Sequence, residues 1–193
     1  MSVSISIIGD DIHTALRTFL LSILPAGIEV VQGQDNQVSM PVGDFVVMTD
    51  VRKIRLSTNI DSYDDIGSNP GSKLIETHIN HMIQLDFYGQ QSGDWAAMVQ
   101  SLFRDSYAVD ALPQNIVPLY ADDPVQMPLI SGESQYVARW KLQVNLQYNP
   151  ITTVPQYFAA ELEIGNAGNP VTANTTSQKI WSGLKNIDVT FPA

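Results

Sequence analysis

A few groups of residues in this 193-residue chain have types and spacings that could support chemistry. His78 and His81 stand three apart, a separation that would suit a metal pair if both imidazoles shared a face. On a helix they would. The surrounding residues alternate instead, and on a strand an odd separation points two side chains to opposite faces. His81 then falls on the apolar side and reads as a buried structural histidine, while His13 stands alone in the first turn of a helix. Asp61, Asp64 and Asp65 resemble a carboxylate cluster for calcium or magnesium, but the EF-hand spacing and its terminal glutamate are missing, so a solvated loop is the favoured reading. Asp122-Asp123 before Pro124 is a turn. Arg52, Lys53 and Arg55 place three of the ten bases within four positions. They form either a solvated strand edge that discourages stray pairing or a basic contact for an acidic neighbour.

No Gly-x-Gly-x-x-Gly, P-loop or Gly-x-Ser-x-Gly occurs, so nucleotide binding and hydrolase chemistry have no motif. There is no cysteine, which excludes disulfides, thiol catalysis and cysteine-bound zinc. The reading is of a chain that is not an enzyme and uses no cofactor and no metal. Twenty acids against ten bases give a net charge of −10. That balance argues against a general nucleic-acid binder and against docking on an anionic membrane. The opening residues lack a basic segment followed by an apolar run, so no secretory signal is read there and the Asn174-Thr175-Thr176 sequon carries no meaning. The longest apolar run, Phe19 to Leu24 broken by Ser22, is far too short to span a bilayer. The chain is expected to fold in the cytoplasm.

The elements that would position these residues follow from periodicity. Residues 10–24 read as a helix with Ile12, Leu16, Phe19, Leu20 and Ile23 on one stripe, capped by Asp10 or Asp11 and ended by Pro25 and Gly27. Ile28 to Gln32 is a short strand. Phe45 to Thr58 is strand-like, apolar on both faces at first and alternating from Arg52, as a strand would be that begins buried and ends at an edge. Residues 59–72 are crowded with turn formers and read as a loop. Thr77 to Tyr88 is a second long strand. Asp94 to Ala111 is a second helix, with Trp95, Met98, Val99, Leu102 and Phe103 on its stripe and Ser92 or Asp94 as its cap. Four prolines restrict residues 112–130 to short edge strands.

The most informative stretch is Arg139 to Pro150. Trp140, Leu142, Val144, Leu146 and Tyr148 share one face; Arg139, Lys141, Gln143, Asn145, Gln147 and Asn149 share the other. This is a strand with an apolar side and an amide-rich side. Amides both donate and accept hydrogen bonds, so Gln143, Asn145 and Gln147 are candidate contacts with another protein. Trp95 and Trp140 belong to the core. Gly165 to Pro170 reads as a linker, dividing a domain over residues 1–164 from an arm over residues 165–193. The arm's scattered apolar residues, Trp181 and Phe191 among them, cannot bury one another and are expected to order on a neighbour. Two helices on one side of a mainly antiparallel sheet make an α+β layer domain.

With these residues in hand, the chain resembles the neck and tail-terminator proteins of contractile-tailed bacteriophages. The resemblance is carried by Leu16-Arg17-Thr18-Phe19-Leu20, by Ile83-Gln84-Leu85-Asp86-Phe87-Tyr88-Gly89 with Trp95 after it, and above all by Leu142 to Pro150 followed by Pro155-Gln156-Tyr157-Phe158. It covers residues 10–164 and implies a tail-terminator-like fold and a structural role in the virion. What it implies further is a homo-hexameric ring that ends the tail tube and sheath, joins them to the head–tail connector or adaptor proteins, and leaves a channel for DNA. Assembly would take place in the bacterial host cytoplasm. An acidic lumen would let the duplex pass without specific binding. In such a ring Arg52, Lys53, Arg55, Gln143, Asn145, Gln147, Trp181 and Phe191 are the expected subunit or partner contacts. Two alternatives stand beside it: a head-side adaptor or gateway ring of the same neck, and a metal- or carbohydrate-binding module or an enzyme using the Asp61–Asp65 loop.

Overall fold

The structure, a computed structural model, describes residues 2–34, 41–67, 70–127, 129–130, 136–158, 161–166 and 169–174. In chain order the first elements are β1 (Ser4–Ile5), α1 (Gly9–Ile23), β2 (Glu29–Gln32), β3 (Phe45–Arg55), β4 (Ile60–Asp64), β5 (Gly71–Glu76), β6 (Ile79–Tyr88), α2 (Ser92–Phe103) and α3 (Ser106–Ala111). There follow β7 (Ile116–Ala121), β8 (Val125–Gln126), β9 (Leu129–Ile130), β10 (Tyr136–Val137), β11 (Arg139–Tyr148), β12 (Ile151–Gln156), β13 (Glu161–Asn166) and β14 (Asn169–Asn174). The fold is α+β with a mostly antiparallel sheet. Two compact units divide the chain: Ile5–Ile60 with Glu76–Ile151, and Met1–Ser4 with Asp61–Ile75 and Thr152–Ala193.

In the larger unit the main sheet runs β2-β3-β6-β11-β7, with β8 also pairing β11. Its spine is the antiparallel pair β6–β11, in unbroken register from Arg139↔Tyr88 to Tyr148↔Ile79. On one face Leu142, Val144 and Leu146 are fully buried against Leu85, Ile83 and His81 of β6. Val46 and Met48 of β3 extend that face. Ile12, Leu16, Phe19 and Leu20 of α1 and Trp95, Val99 and Phe103 of α2 complete the same core. The helices meet where the Phe19 and Phe103 rings stand edge to face, 6.1 Å between centroids.

β3 behaves as its composition predicts: Phe45, Val46 and Met48 are buried, and everything from Asp50 to Arg55 is exposed. β2 pairs parallel with β3 only as far as Met48. The β3–β6 register slips between Asp50 and Arg52, so Val51 is a bulge residue turned outward, 45% exposed.

The helix starts differ from expectation. Ile8 is the N-cap of α1 and donates its N–H to Asp11 Oδ2 at 2.9 Å, so Asp11 reaches back rather than capping. Gln91 precedes α2 without a side-chain cap, and Ser92 Oγ donates to the Gly89 carbonyl at 2.6 Å. Gly89 turns β6 into α2 at φ +131°, with the Asp44 side chain where a Cβ would stand. The single helix read over Asp94–Ala111 is two, because Asp105 leaves the helical conformation and its Oδ1 accepts from Tyr107 N–H at 3.0 Å. That cap begins α3.

In the smaller unit the sheet runs β1-β12-β5-β4. Residues 59–72 therefore hold strands where a loop is expected. Lys73 on β5 pairs with Asp61 on β4 at 2.7 Å, and this hydrogen bond is the leading cause that raises the lysine's pKa. Gly71 packs so closely that a Cβ would come within 2.6 Å of both the Asp64 carbonyl and the Phe158 ring. β13 and β14 pair antiparallel, so Gly165, Asn166, Asn169 and Pro170 of the expected linker lie in paired strands.

Asp105→Ala should cost about 1 kcal/mol in urea-induced unfolding, the usual value of a lost N-cap, while Asp105→Asn should be nearly neutral. Equal stability of both variants and the native chain would show that this cap does not hold α3.

Candidate interaction surfaces

The chemistry-bearing side chains of the larger unit gather in three places. The first was not anticipated. His13 on α1 and His81 on β6 both place Nε2 2.9 Å from the same Asp50 oxygen, and their rings lie 6.4 Å apart at 67°. The distances are those of ion pairs, but neither imidazole has hydrogen-bond alignment with a partner among the described residues. His81 is fully buried and His13 nearly so, whereas Asp50 is exposed on its outer side. Burial holds the His81 pKa below its ordinary 6.5; Asp50 opposes that shift, and Lys53 and His13 reinforce it. Helix stripe and strand parity could have predicted this meeting: His13 borders Ile12 and Leu16, and Asp50 continues the Val46–Met48 face. Beside His13, between α1 and β2–β3, lies an open cleft of about 470 Å³ whose other polar lining includes Asp10, Thr14, Arg17 and Gln32. Arg17 Nε donates to the Val30 carbonyl at 3.0 Å, so the cleft's cation serves the fold.

The second place is the amide-rich face. Opposite faces for His78 and His81 are as read: His78 Nδ1 lies 3.0 Å from Ser57 Oγ at a strand end, and His81 is in the core. The amide face is less open than its alternation implies. Asp86 is buried and receives Arg139 through Nε at 3.1 Å and Nη2 at 2.9 Å, with Gln84 Nε2 donating to its other oxygen at 2.8 Å. Phe45 and Tyr88 stack beside this pair at 4.4 Å. Burial is the first cause that raises the Tyr88 pKa. Gln143 is half-buried, and Gln147, also half-buried, donates to Asn149 Oδ1 at 3.4 Å. Asn145 is fully buried, and its amide has no hydrogen-bond partner among the described residues. Asn145 therefore does not present itself to solvent.

The third place is the free end of β3. Arg52, Lys53 and Arg55 are all exposed, but they are not equivalent. Arg55 donates through Nε to the Ser57 carbonyl at 3.0 Å and through Nη2 to Asn59 Oδ1, so it braces its own loop. Arg52 and Lys53 have no ion pair among the described residues. Exposed Val51, Ile54 and Leu56 stand next to these bases along the strand. Trp181 and Phe191 lie outside the described residues.

The acids singled out from the sequence do not converge. Asp61 is committed to Lys73, and Asp65 Oδ1 accepts from Gly67 N–H at 3.0 Å in a turn. Among the described residues no group of three or more His, Asp or Glu is placed to hold a metal ion, and no helix is long and apolar enough to cross a membrane.

Among the described residues, polar groups brace the sheet from within and exposed bases lie on a strand edge. Residues 10–177 match the family model of phage neck terminator proteins, and the chain belongs to that family. A search of curated proteins finds no match. The chain is thus a bacteriophage neck component with a tail-terminator role, a constituent of the virion.

Because folded His81 binds its proton less tightly than the unfolded chain does, the unfolded state takes up more protons as pH falls below 6.5. Stability is therefore full above that value and declines below it. Urea midpoints should fall with pH in this window for the native chain and less steeply for His81→Gln. A native midpoint independent of pH there would refute the assignment.

Proposed function

We propose that this protein is a non-enzymatic ring subunit, six copies of which close the tail tube and sheath of a contractile tail and join them to the head–tail connector. The observation that carries this reading is membership of the neck terminator family across residues 10–177. Its partners in this reading are further copies of itself, the tube and sheath proteins below and the connector or adaptor proteins above. The ring assembles in the host cytoplasm, without a membrane. Phage DNA passes through its lumen and is not retained there. The net charge of −10 supports this, since a strong phosphate binder needs many more bases than three on one strand edge.

Native mass spectrometry of the purified neck, together with cryo-electron microscopy of virions, should show one closed ring of this chain per neck, with six subunits. A single copy in the assembled particle would overturn the reading.

In the same reading the C-terminal residues reach a neighbour. Trp181, Leu184, Val189 and Phe191 are scattered among polar residues, and apolar burial worth roughly 25 cal/mol per Å² is gained only on a receiving surface. Truncation after Asn174 should leave the thermal unfolding of the remaining chain unchanged while weakening ring formation. A truncated chain that unfolds several degrees earlier would show that these residues complete the subunit's own fold.

A further inference from the structure

Resting on the ring reading above, we infer that the contact between neighbouring copies runs head to tail across the main sheet. The cationic free end of β3 on one copy meets the β7 edge on the next. The observation is one of register. Four rows that start on the free end of β3 cross the whole sheet: Arg52–Met82–Asn145–Tyr120, Lys53–His81–Leu146–Pro118, Ile54–Asn80–Gln147–Val117 and Arg55–Ile79–Tyr148–Ile116. Each begins on the free end of β3 and finishes on β7, about 14 Å away at three strand spacings. Among the described residues no strand pairs with the outer side of β3 beyond Met48 or with the outer side of β7.

The two ends of these rows are complementary. At the β3 end Arg52 and Lys53 make no ion pair among the described residues and are flanked by exposed Val51 and Ile54. At the β7 end Val117, Leu119 and Tyr120 are exposed, and the strand is followed by half-buried Asp122 and exposed Asp123, whose Oδ1 accepts from Gln100 Nε2 at 2.7 Å. Of the bases nearby, Arg104 donates through Nε to the Ala121 carbonyl at 2.9 Å, and half-buried Lys141 lies in register with Val125. Among the exposed bases described, Arg17, Arg55 and Arg104 all serve the chain's own oxygens; Arg52 and Lys53 do not. An acidic chain that leaves two cations free at one end of its sheet, and carboxylates at the other end of the same rows, carries the complement of its own surface. The partner it fits is a second copy.

Two different patches in contact make a heterologous interface, which propagates around a ring when the rotation closes. Pro118 has no N–H to give to an added strand, so the contact we assign is made by side chains: apolar residues at the centre, ion pairs at the rim.

Two measurements on the full-length chain test this. The first uses charge reversal. Arg52→Glu with Lys53→Glu, and separately Asp122→Lys with Asp123→Lys, should each weaken ring formation by about tenfold or more. An equimolar mixture of the two should restore rings of alternating subunits, because each reversed edge then faces its complement. The second exploits the absence of cysteine. Ile54 and Val117 occupy the two ends of the row Ile54–Asn80–Gln147–Val117. In assembled necks, a chain carrying both Ile54→Cys and Val117→Cys should give a covalent ladder with a short bis-maleimide, and either single variant should not. Rings that survive both reversals, or a ladder from a single variant, would overturn this interface while leaving the ring intact. Necks that hold no ring of this chain would remove the ring reading itself.

Discussion

The pairing of β6 with β11 is the constraint on which the rest of the larger unit depends. Ten residues of each strand are paired without a break, and strand side chains alternate with a period of two. A slip of one residue would carry Lys141, Gln143 and Asn145 into the core and turn Leu142, Val144 and Leu146 outward. The register is therefore fixed by composition, and three consequences follow from it. His81 must lie in the apolar layer, Asp86 must lie opposite Lys141 and near Arg139, and the rows must end on the outer strands β3 and β7 at matching levels. The helices adapt to this frame: α1 and α2 cover the apolar layer and touch through Phe19 and Phe103.

Polar groups inside this frame serve geometry more than stability. The Asp86–Arg139 pair is drawn out of water, and replacing such a pair by apolar residues is often neutral or better, so its worth is in orienting β6 and β11. Asp50 stands where β3 leaves the core, close to the bulge at Val51, and one of its carboxylate oxygens lies 2.9 Å from a ring nitrogen on α1 and from one on β6.

Local pattern revealed the elements whose neighbours are set by their own periodicity. The two faces of β11, the stripe of α1, the buried start and open end of β3, and the opposite placement of His78 and His81 all follow from spacings of two or 3.6. What stayed hidden depended on distant residues. Residues 59–72 carry so many turn formers that they read as a loop, yet β4 and β5 lie in one sheet with β12, which begins some eighty positions later at Ile151. Gly165 and Pro170 resemble a linker until β13 and β14 are seen to pair. Asp105 lies between two apolar helical stretches, and only its hydrogen bond to Tyr107 shows that the helix stops and restarts there. Burial at Asn145 could not be read at all, because alternation reports which face a residue takes and not what covers that face. Of the candidate contact residues, the sequence placed the β3 bases on an exposed edge but could not tell Arg55, which braces its own loop, from Arg52 and Lys53.

That distinction matters for how so acidic a subunit could associate with itself. Copies at −10 repel one another over a Debye length of about 8 Å at physiological salt, so attraction has to be local. Spreading the bases evenly would weaken the repulsion without directing any contact. This chain instead commits Arg17, Arg55, Lys73, Arg104 and Arg139 to its own oxygens, and among the described residues the exposed Arg52 and Lys53 at one sheet end make no ion pair. The opposite end combines exposed apolar residues with carboxylates. Such a polarised sheet favours one orientation of its neighbour and penalises the others, since like edges bring like charges together. Two bulges accentuate the asymmetry: Val51 on β3 and Leu119 at the register shift of β7 each push an apolar side chain outward at the edge. In the ring we propose, directional attraction against a repulsive background favours a head-to-tail arrangement over a face-to-face dimer, because like edges repel.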